Sequence, residues 1–198
     1  IAISPTGNSF YYSGNSGNLV KYNAYTGTSS ATLTGLGGWN TSSVFSSDEK
    51  KLYINGYWVD TSVSGCDPVW DCPQYSKVTV IDTATNHTIQ TIQTTVDAWG
   101  TGIAVSKDGT QIYLSSDKMF TIDASTGNTI SSVYHGGAGL SDMVGFSLNS
   151  TGTKAYTLSG IIDLSTNIFT AYTRPSSVRW YGANHIALSN DGTKVYII

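Results

Sequence analysis

Short apolar runs separated by tight turns recur along the whole chain, and residues 102–133 contain the clearest example. The runs GIAVS, QIYLS, KMFTID and NTISSV have about five residues each, the usual length of a β-strand. An Asp-Gly pair between the first two is a strong hairpin signal. Gly127 supplies a positive φ at the third turn. No run has helical spacing. The segment therefore predicts a four-stranded antiparallel meander.

The same unit recurs along the chain with a period of about forty residues, with one longer step of about sixty. The residues that align in the first hairpin are Gly7, Glu49, Gly109, Gly152 and Gly192. A second set, before the third turn, is Asn23, Asp82, Asp123 and Asp163. Four strands in about forty residues are typical of a propeller blade. We therefore predict an all-β propeller portion of about four and a half blades, at residues 1–33, 42–93, 102–134, 144–173 and, in part, 185–198.

The aligned motifs also resemble a known repeat. GIAVSKDGTQIYL, KVTVIDTATNHTIQTI and MFTIDASTGNTISSV are similar to the YVTN-type β-propeller repeat. The resemblance implies a parent propeller of seven blades, so further blades or domains of the same polypeptide are expected as partners. Relatives with this repeat include surface proteins, lactonase-like enzymes and propeller parts of periplasmic redox enzymes. The resemblance therefore implies a specific architecture but selects no single activity.

The innermost strand of each predicted blade has one position with a small residue in most repeats. Ala2, Ala104 and Ala187 share this position, and Val44 and Ser147 occupy it in the other two blades. We interpret this pattern as the place where the blades converge near a central channel and leave little room for side chains.

The composition indicates where such a protein works. Charged residues make up 12% of the chain, against about 25% in soluble domains generally, and Ser, Thr, Gly, Asn and Tyr take their place. Such a neutral, hydroxyl-rich surface predicts an extracellular or cell-surface location, with the periplasm as an alternative. A net charge of −3 provides no basic surface for nucleic acid. No apolar run approaches the ~18 residues of a membrane span.

Both cysteines lie in an insertion of the second blade, in the sequence CDPVWDC. A metal site would use the two thiolates with Asp67 and Asp71, but zinc favours four Cys or His ligands and no further candidate is nearby. A disulfide between Cys66 and Cys72 fits an oxidising compartment. We therefore predict the disulfide and no bound metal.

Catalytic chemistry has weaker support in the sequence. Titratable residues on or beside the loops that lead into the inner strands are Asp97, His135, Asp142, Arg174, Arg179 and His185. A His and a carboxylate there would suit acid–base catalysis, but no nucleophile or metal-ligand motif accompanies them. We expect no cofactor and favour a non-catalytic module for protein or glycan binding or scaffolding. The alternative is the propeller part of a lactonase-like enzyme or of a periplasmic redox enzyme.

The loops that lead into the inner strands carry the candidate binding residues. Trp39 and Trp99 stand at one repeat position, and Trp180 lies close to it in its own loop. Exposed indoles suit a sugar, whose C–H face stacks on the ring. The competing interpretation, which a fixed repeat position favours, is that the Trp wedges between blades. The full predicted set is Trp39, Asn40, Trp99, Trp180, Tyr181, Asn184, His135 and His185.

Overall fold

The structure is a computed structural model that describes residues 1–13, 18–34, 36, 42–67, 72–97, 102–116, 118–135, 145–173, 186–189 and 193–197. Within these ranges the chain forms eighteen β-strands and no helix. Accordingly, the described part has no helix long and apolar enough to cross a membrane.

The strands form five antiparallel sheets, numbered here in chain order. Sheet 1 contains β1 (Ala2–Ile3), β2 (Ser9–Ser13), β3 (Leu19–Asn23) and β4 (Ser29–Leu33). Sheet 2 contains β5 (Ser42–Phe45), β6 (Lys51–Val59), β7 (Gln74–Asp82) and β8 (Thr88–Asp97). Sheet 3 contains β9 (Gly102–Val105), β10 (Gln111–Ser115), β11 (Lys118–Asp123) and β12 (Thr129–Tyr134). Sheet 4 contains β13 (Phe146–Leu148), β14 (Lys154–Thr157), β15 (Gly160–Asp163) and β16 (Ile168–Ala171). Sheet 5 contains β17 (Ile186–Leu188) and β18 (Val195–Ile197).

Each four-stranded sheet is a meander, because neighbouring strands in space are also neighbours along the chain. The first strands of consecutive sheets, β1, β5, β9, β13 and β17, contact one another in that order. They therefore form the inner edge of an arc of sheets, which is the arrangement of a β-propeller. The predicted fold class is confirmed: the chain is an all-β propeller portion with four complete meanders and a two-stranded fifth sheet.

The hydrophobic core lies between the sheets. Leu52 and Ile54 of β6 pack in a cluster shared with sheet 1, whereas Tyr53 between them packs in a cluster shared with sheet 3. Successive side chains of a strand point to opposite faces, so one continuous apolar run contributes to two interfaces. This explains why the strands do not alternate between apolar and polar residues.

A tyrosine occupies one position of the second strand in every sheet. The five tyrosines are Tyr11, Tyr53, Tyr113, Tyr156 and Tyr196. Their register partners on the first strands are Ala2, Val44, Ala104, Ser147 and Ala187. The small residues noted in the sequence thus lie beside an aromatic ring, which in sheets 1 and 2 packs toward the following sheet. Tyr11 and Tyr53, each covered by the next sheet, are 0% and 2% exposed.

The third turn of each four-stranded sheet places one residue in the left-handed region: Gly27, Asn86, Gly127 and Asn167. We call this the left-handed turn position. In three sheets it contacts the sheet before it. Asn86 Oδ1 accepts a hydrogen bond of 2.8 Å from the hydroxyl of Tyr11, and Asn167 Oδ1 accepts one of 3.2 Å from Ser131 Oγ. A Cβ on Gly127 would lie only 2.5 Å from the Gln93 carbonyl oxygen.

Glu49 replaces glycine in the first hairpin of sheet 2, although its φ is 60°. A side chain in this conformation costs roughly 1–2 kcal/mol. The Glu49 carboxylate accepts hydrogen bonds from the backbone N–H and from the Oγ1 of Thr6 in sheet 1. The glutamate therefore has an unfavourable backbone conformation but makes a contact between two sheets.

The insertion of sheet 2 begins and ends as regular strand. It continues β6 and β7 as paired strands, with Gly56 opposite Lys77 and Val59 opposite Gln74. β8 continues beside them to Asp97. The first strand of the sheet, β5, pairs only with residues 52–55 of β6. A three-stranded extension, formed by residues 56–59, 74–77 and 93–97, therefore projects beyond the rest of the sheet.

Candidate binding site at the loop end of the sheets

The two ends of the propeller portion differ in what connects the strands. At one end, here called the loop end, the second strand passes to the third and the fourth strand leads to the next sheet. Contacts within this end confirm the arrangement: His135, which follows β12, lies 3.3 Å from the Ser116 carbonyl between β10 and β11. The opposite end, here called the turn end, holds the tight first and third turns.

Most of the predicted binding residues lie outside the described residues. These are Trp39, Asn40, Trp99, Trp180, Tyr181, Asn184 and His185. Their grouping at the loop end stays a prediction. The same holds for Asp142, Arg174 and Arg179.

His135 is the one predicted binding residue in the described part, and it is 2% exposed. Its ring Nε2 faces the Ser116 carbonyl, and its own carbonyl accepts a hydrogen bond from Ser159 Oγ of sheet 4. His135 thus links sheets 3 and 4. Ser159 is itself positioned by a hydrogen bond of 3.3 Å from its N–H to Thr157 Oγ1. The polar side chains here stabilise the seam between the two sheets.

The extension of sheet 2 is the most prominent feature of the loop end. A disulfide between Cys66 and Cys72 closes the connection from β6 to β7, with 4.9 Å between the Cα atoms. The predicted pairing is confirmed. The Cys72 N–H also donates a hydrogen bond of 3.1 Å to the Asp67 carbonyl. The connection is further fixed by Asp60, which accepts hydrogen bonds from the backbone N–H and hydroxyl of Ser62. The Ser62 hydroxyl and N–H lower the pKa of the Asp60 carboxyl.

One face of the extension carries an aromatic row that the sequence did not single out. Trp58 is the register partner of Tyr75, and Tyr75 is in turn the partner of Asp97. The two rings lie 5.5 Å apart between centroids with an interplanar angle of 44°. Both aromatic side chains are half-buried and Asp97 is exposed. We call these three residues the aromatic row.

The aromatic row lies on the side of sheet 2 that faces away from sheet 3. Val78 and Val80 of β7 and Val96 of β8 pack in the cluster shared with sheet 3, so the alternate residues of those strands point the other way. Lys77, two positions from Tyr75, donates from Nζ to the Leu36 carbonyl at 3.2 Å. Leu36 belongs to the linker after sheet 1, and Trp39 follows it by three positions in the sequence.

The turn end offers a different surface. Clefts of about 340 Å³ and 140 Å³ separate the first turns of sheets 3 and 4 and of sheets 2 and 3. Asp108 borders both. Its Oδ1 already accepts hydrogen bonds from Ser106 Oγ at 2.6 Å and from the Thr110 N–H at 3.1 Å. The Ser106 hydroxyl is the main cause of the lowered pKa of Asp108. These groups maintain the turn, so the loop end has the stronger claim to ligand binding.

Comparison with solved structures supports the propeller fold. No family model and no curated protein sequence matches the chain. The chain is similar to a solved chain of Kuenenia stuttgartiensis hydrazine synthase, with a TM-score of 0.68 and 18% identity over 100% of its own length. The match covers 54% of the solved chain, so this chain spans about half of that length. The shared feature is the fold. Since 723 solved chains match, the likeness selects no single activity.

The sequence signal for the aromatic row is the presence of Tyr57, Trp58 and Val59 before the disulfide loop and of Tyr75 after it. Aromatic residues on both sides of a short Cys-to-Cys loop favour paired strands with cross-strand aromatic contacts. No other repeat contains the insertion, so the repeat pattern does not predict the aromatic row.

Proposed function

We propose that this chain is part of a non-catalytic recognition module that binds a protein or glycan partner at the loop end of its propeller. The observation that carries the proposal is the extension of sheet 2. Its three strands continue past the residues that pair with β5, and a disulfide closes their tip. An ordered projection beyond the body of a sheet is suited to meeting a partner.

The proposal includes the wider organisation predicted from the sequence. Residues 1–198 form one propeller portion with blades at the boundaries given above, and the YVTN-type resemblance gives the kind of repeat. The location is extracellular, at the cell surface or in the periplasm. The Cys66–Cys72 bond supports this, since disulfides persist in oxidising compartments. The partners are a protein or carbohydrate ligand and further blades or domains of the same polypeptide.

The loops that lead into the inner strands supply the binding face in this proposal. Trp39 and Trp99 share a repeat position, so equivalent loops on adjacent blades bring them to the same mouth of the channel. Trp180 joins them from its own loop, with Asn40, Tyr181, Asn184 and His185 as polar neighbours. His135 is better explained as a link between sheets, because it is buried and bonded to sheet 4 through its carbonyl.

Binding by the full 198-residue chain, presented as a multivalent probe to arrays of immobilised glycans and purified surface proteins, tests the proposal. Trp39→Ala and Trp99→Ala are expected to abolish capture while Tm changes by no more than about 4 °C. Tyr25→Ala is the matched control, because Tyr25 is 79% exposed and lies in the third turn of sheet 1 at the turn end. Loss of stability in both Trp variants with unchanged capture would instead assign the two residues to the core.

A second candidate is the propeller part of an enzyme. The observation that favours it is the name of the similar solved chain, hydrazine synthase, of which this chain covers about half. In that case catalytic groups would be supplied by another part of a longer polypeptide. The neighbouring reading frame distinguishes the two proposals: a cofactor-binding domain favours the enzyme, and adhesive modules or a surface anchor favour recognition.

A further inference from the structure

We propose that the aromatic row, Trp58, Tyr75 and Asp97, is a subsite for a neutral carbohydrate. The inference rests on the proposed function and names a ligand class and a place for it. Its three residues lie on paired strands of the extension, whereas Trp39, Trp99 and Trp180 belong to the loops that lead into the inner strands.

The indole of Trp58 is held in place by the extension itself. Its Nε1 donates to the Thr94 carbonyl at 3.4 Å. Thr94 is 3% exposed, and its Oγ1 both donates to the Ser76 carbonyl at 2.9 Å and accepts from the Val96 N–H at 3.2 Å. The strands carry an irregularity between Tyr75 and Lys77 at this point. A ring fixed in this way loses little freedom when a ligand stacks on it.

The aromatic rings remain accessible in part. Along β8 the even-numbered residues Ile92, Thr94 and Val96 are buried, whereas Gln93 and Asp97 are exposed. The aromatic row shares the side of these exposed residues, since register partners in an antiparallel pair point to the same face. Trp58 and Tyr75 are each half-buried there. The face therefore combines rigid aromatic surface with a polar edge.

This combination matches the chemistry of a sugar. The C–H face of a pyranose packs on an aromatic ring, and its hydroxyls donate to carboxylate oxygens such as those of Asp97 or pair with the amide of Gln93. A neutral sugar fits better than a sulfated or acidic one, because the chain carries a net charge of −3. The nearby Lys77 ammonium already binds the Leu36 carbonyl.

A purely structural role for the pair is the competing explanation, since cross-strand aromatic pairs stabilise sheets by about 0.2–1 kcal/mol. ¹⁹F NMR on the full chain labelled with 5-fluorotryptophan separates the two explanations. The chain has five tryptophans, and Trp58→Phe assigns the Trp58 resonance. The probes are cellohexaose and chitohexaose, with a heparin hexasaccharide as the anionic comparison.

The expected result is a saturable shift of the Trp58 resonance with at least one neutral hexasaccharide and none with the heparin probe. Trp58→Ala is expected to weaken that binding about tenfold, which is the scale of a well-placed ring contact. Asp97→Asn is expected to weaken it less, and Tyr25→Ala to leave it unchanged. If Trp58→Ala does not fold, the titration of the wild-type Trp58 resonance still decides the question.

The outcomes also separate this inference from the proposed function. A Trp58 resonance that stays fixed while other tryptophan resonances respond would refute the subsite and leave recognition at the loop end intact. If neither neutral hexasaccharide moves any resonance, the subsite is refuted, and the array experiment on the Trp39 and Trp99 variants then decides the proposed function by itself.

Discussion

Substitution of Gly127 tests whether the left-handed turn position holds one sheet against the sheet before it. Gly27 is the matched control at the same repeat position. Both glycines have positive φ, 77° and 68°. Both N–H groups donate at 2.9 Å to the carbonyl four residues earlier. A Cβ on Gly127 would lie 2.5 Å from the Gln93 carbonyl oxygen and 3.0 Å from Ile92 Cγ2, whereas one on Gly27 would meet no described atom within 4 Å.

The two substitutions therefore share a conformational cost and differ in a steric one. Alanine in the left-handed region costs roughly 1–2 kcal/mol, offset in part by the smaller freedom of the unfolded chain, so Gly27→Ala loses about 1 kcal/mol. Forcing a methyl group into a packed interface adds about 1–3 kcal/mol, which brings Gly127→Ala to about 2–4 kcal/mol. The contacted atom belongs to the backbone of β8, so the strand itself must shift.

Thermal unfolding of the two variants measures the difference. At about 2–4 °C per kcal/mol for a domain of this size, Tm falls by about 2–4 °C for Gly27→Ala and by about 4–16 °C for Gly127→Ala. Gly127→Asn adds a further check, because Asn adopts the left-handed region more readily but keeps the Cβ. Equal losses for the two alanine variants, or full stability of Gly127→Asn, would refute the steric contact between the sheets.

Three further outcomes follow from the charges and the disulfide. Burial, with a smaller contribution from Asp82, raises the pKa of Tyr11 to about 12; its stabilising effect is complete below pH 10 and is lost as the pH rises toward 12. Tyr11→Phe should therefore lower the free energy of unfolding by about 1 kcal/mol at neutral pH, because it removes the hydrogen bond to Asn86. As the pH rises into the alkaline range, the urea midpoint of the variant should fall less than that of the wild type. Parallel pH profiles of the two urea midpoints would contradict this. The hydroxyl of Ser125, followed by the N–H of Thr126, lowers the pKa of Asp123 to about 2, so this carboxylate stabilises the fold above about pH 4 and the effect is lost as the pH falls through about 2. Asp123→Asn should reduce the fall of Tm at acidic pH. The turn should be kept, because Asn23 accepts the equivalent hydrogen bonds in sheet 1. An unchanged fall of Tm at acidic pH would count against the stabilising role of the Asp123 carboxylate. Replacing Cys66 and Cys72 by Ser should cost about 2 kcal/mol for so short a loop, measured by urea unfolding, and two alkylatable thiols in the unreduced native protein would disprove the bond.

The sheets were predictable because their turns are determined locally. In the first turn of sheet 3, Asp108 bonds to Ser106 and Thr110, and in the third turn Asp123 bonds to Ser125 and Thr126. All partners lie within three positions of the aspartate in the sequence, so the same residues predict the same turn wherever they recur. The strands between the turns then follow from their length and apolar content.

The extension of sheet 2 was not predictable in the same way. Gly56 interrupts the apolar run of β6, and the residues after it become strand only because 74–77 pair with them across a disulfide loop. The burial of His135 has a similar cause, since the Ser116 carbonyl and the Ser159 hydroxyl reach it from two different sheets. Contacts between distant segments decide both features, and a repeat pattern carries no information about an insertion that occurs once.

The tyrosine on the second strand of each sheet has a consequence for synthesis of the chain. Tyr11 and Tyr53 are covered by the sheet that follows, so sheets 1 and 2 each emerge from the ribosome with this face uncovered. The next repeat of about forty residues takes about 2–8 s to translate at typical rates. During that interval a nascent sheet presents an apolar surface centred on one aromatic ring, a binding surface for chaperones. Each sheet is thus completed by a segment that did not exist when its own strands first paired.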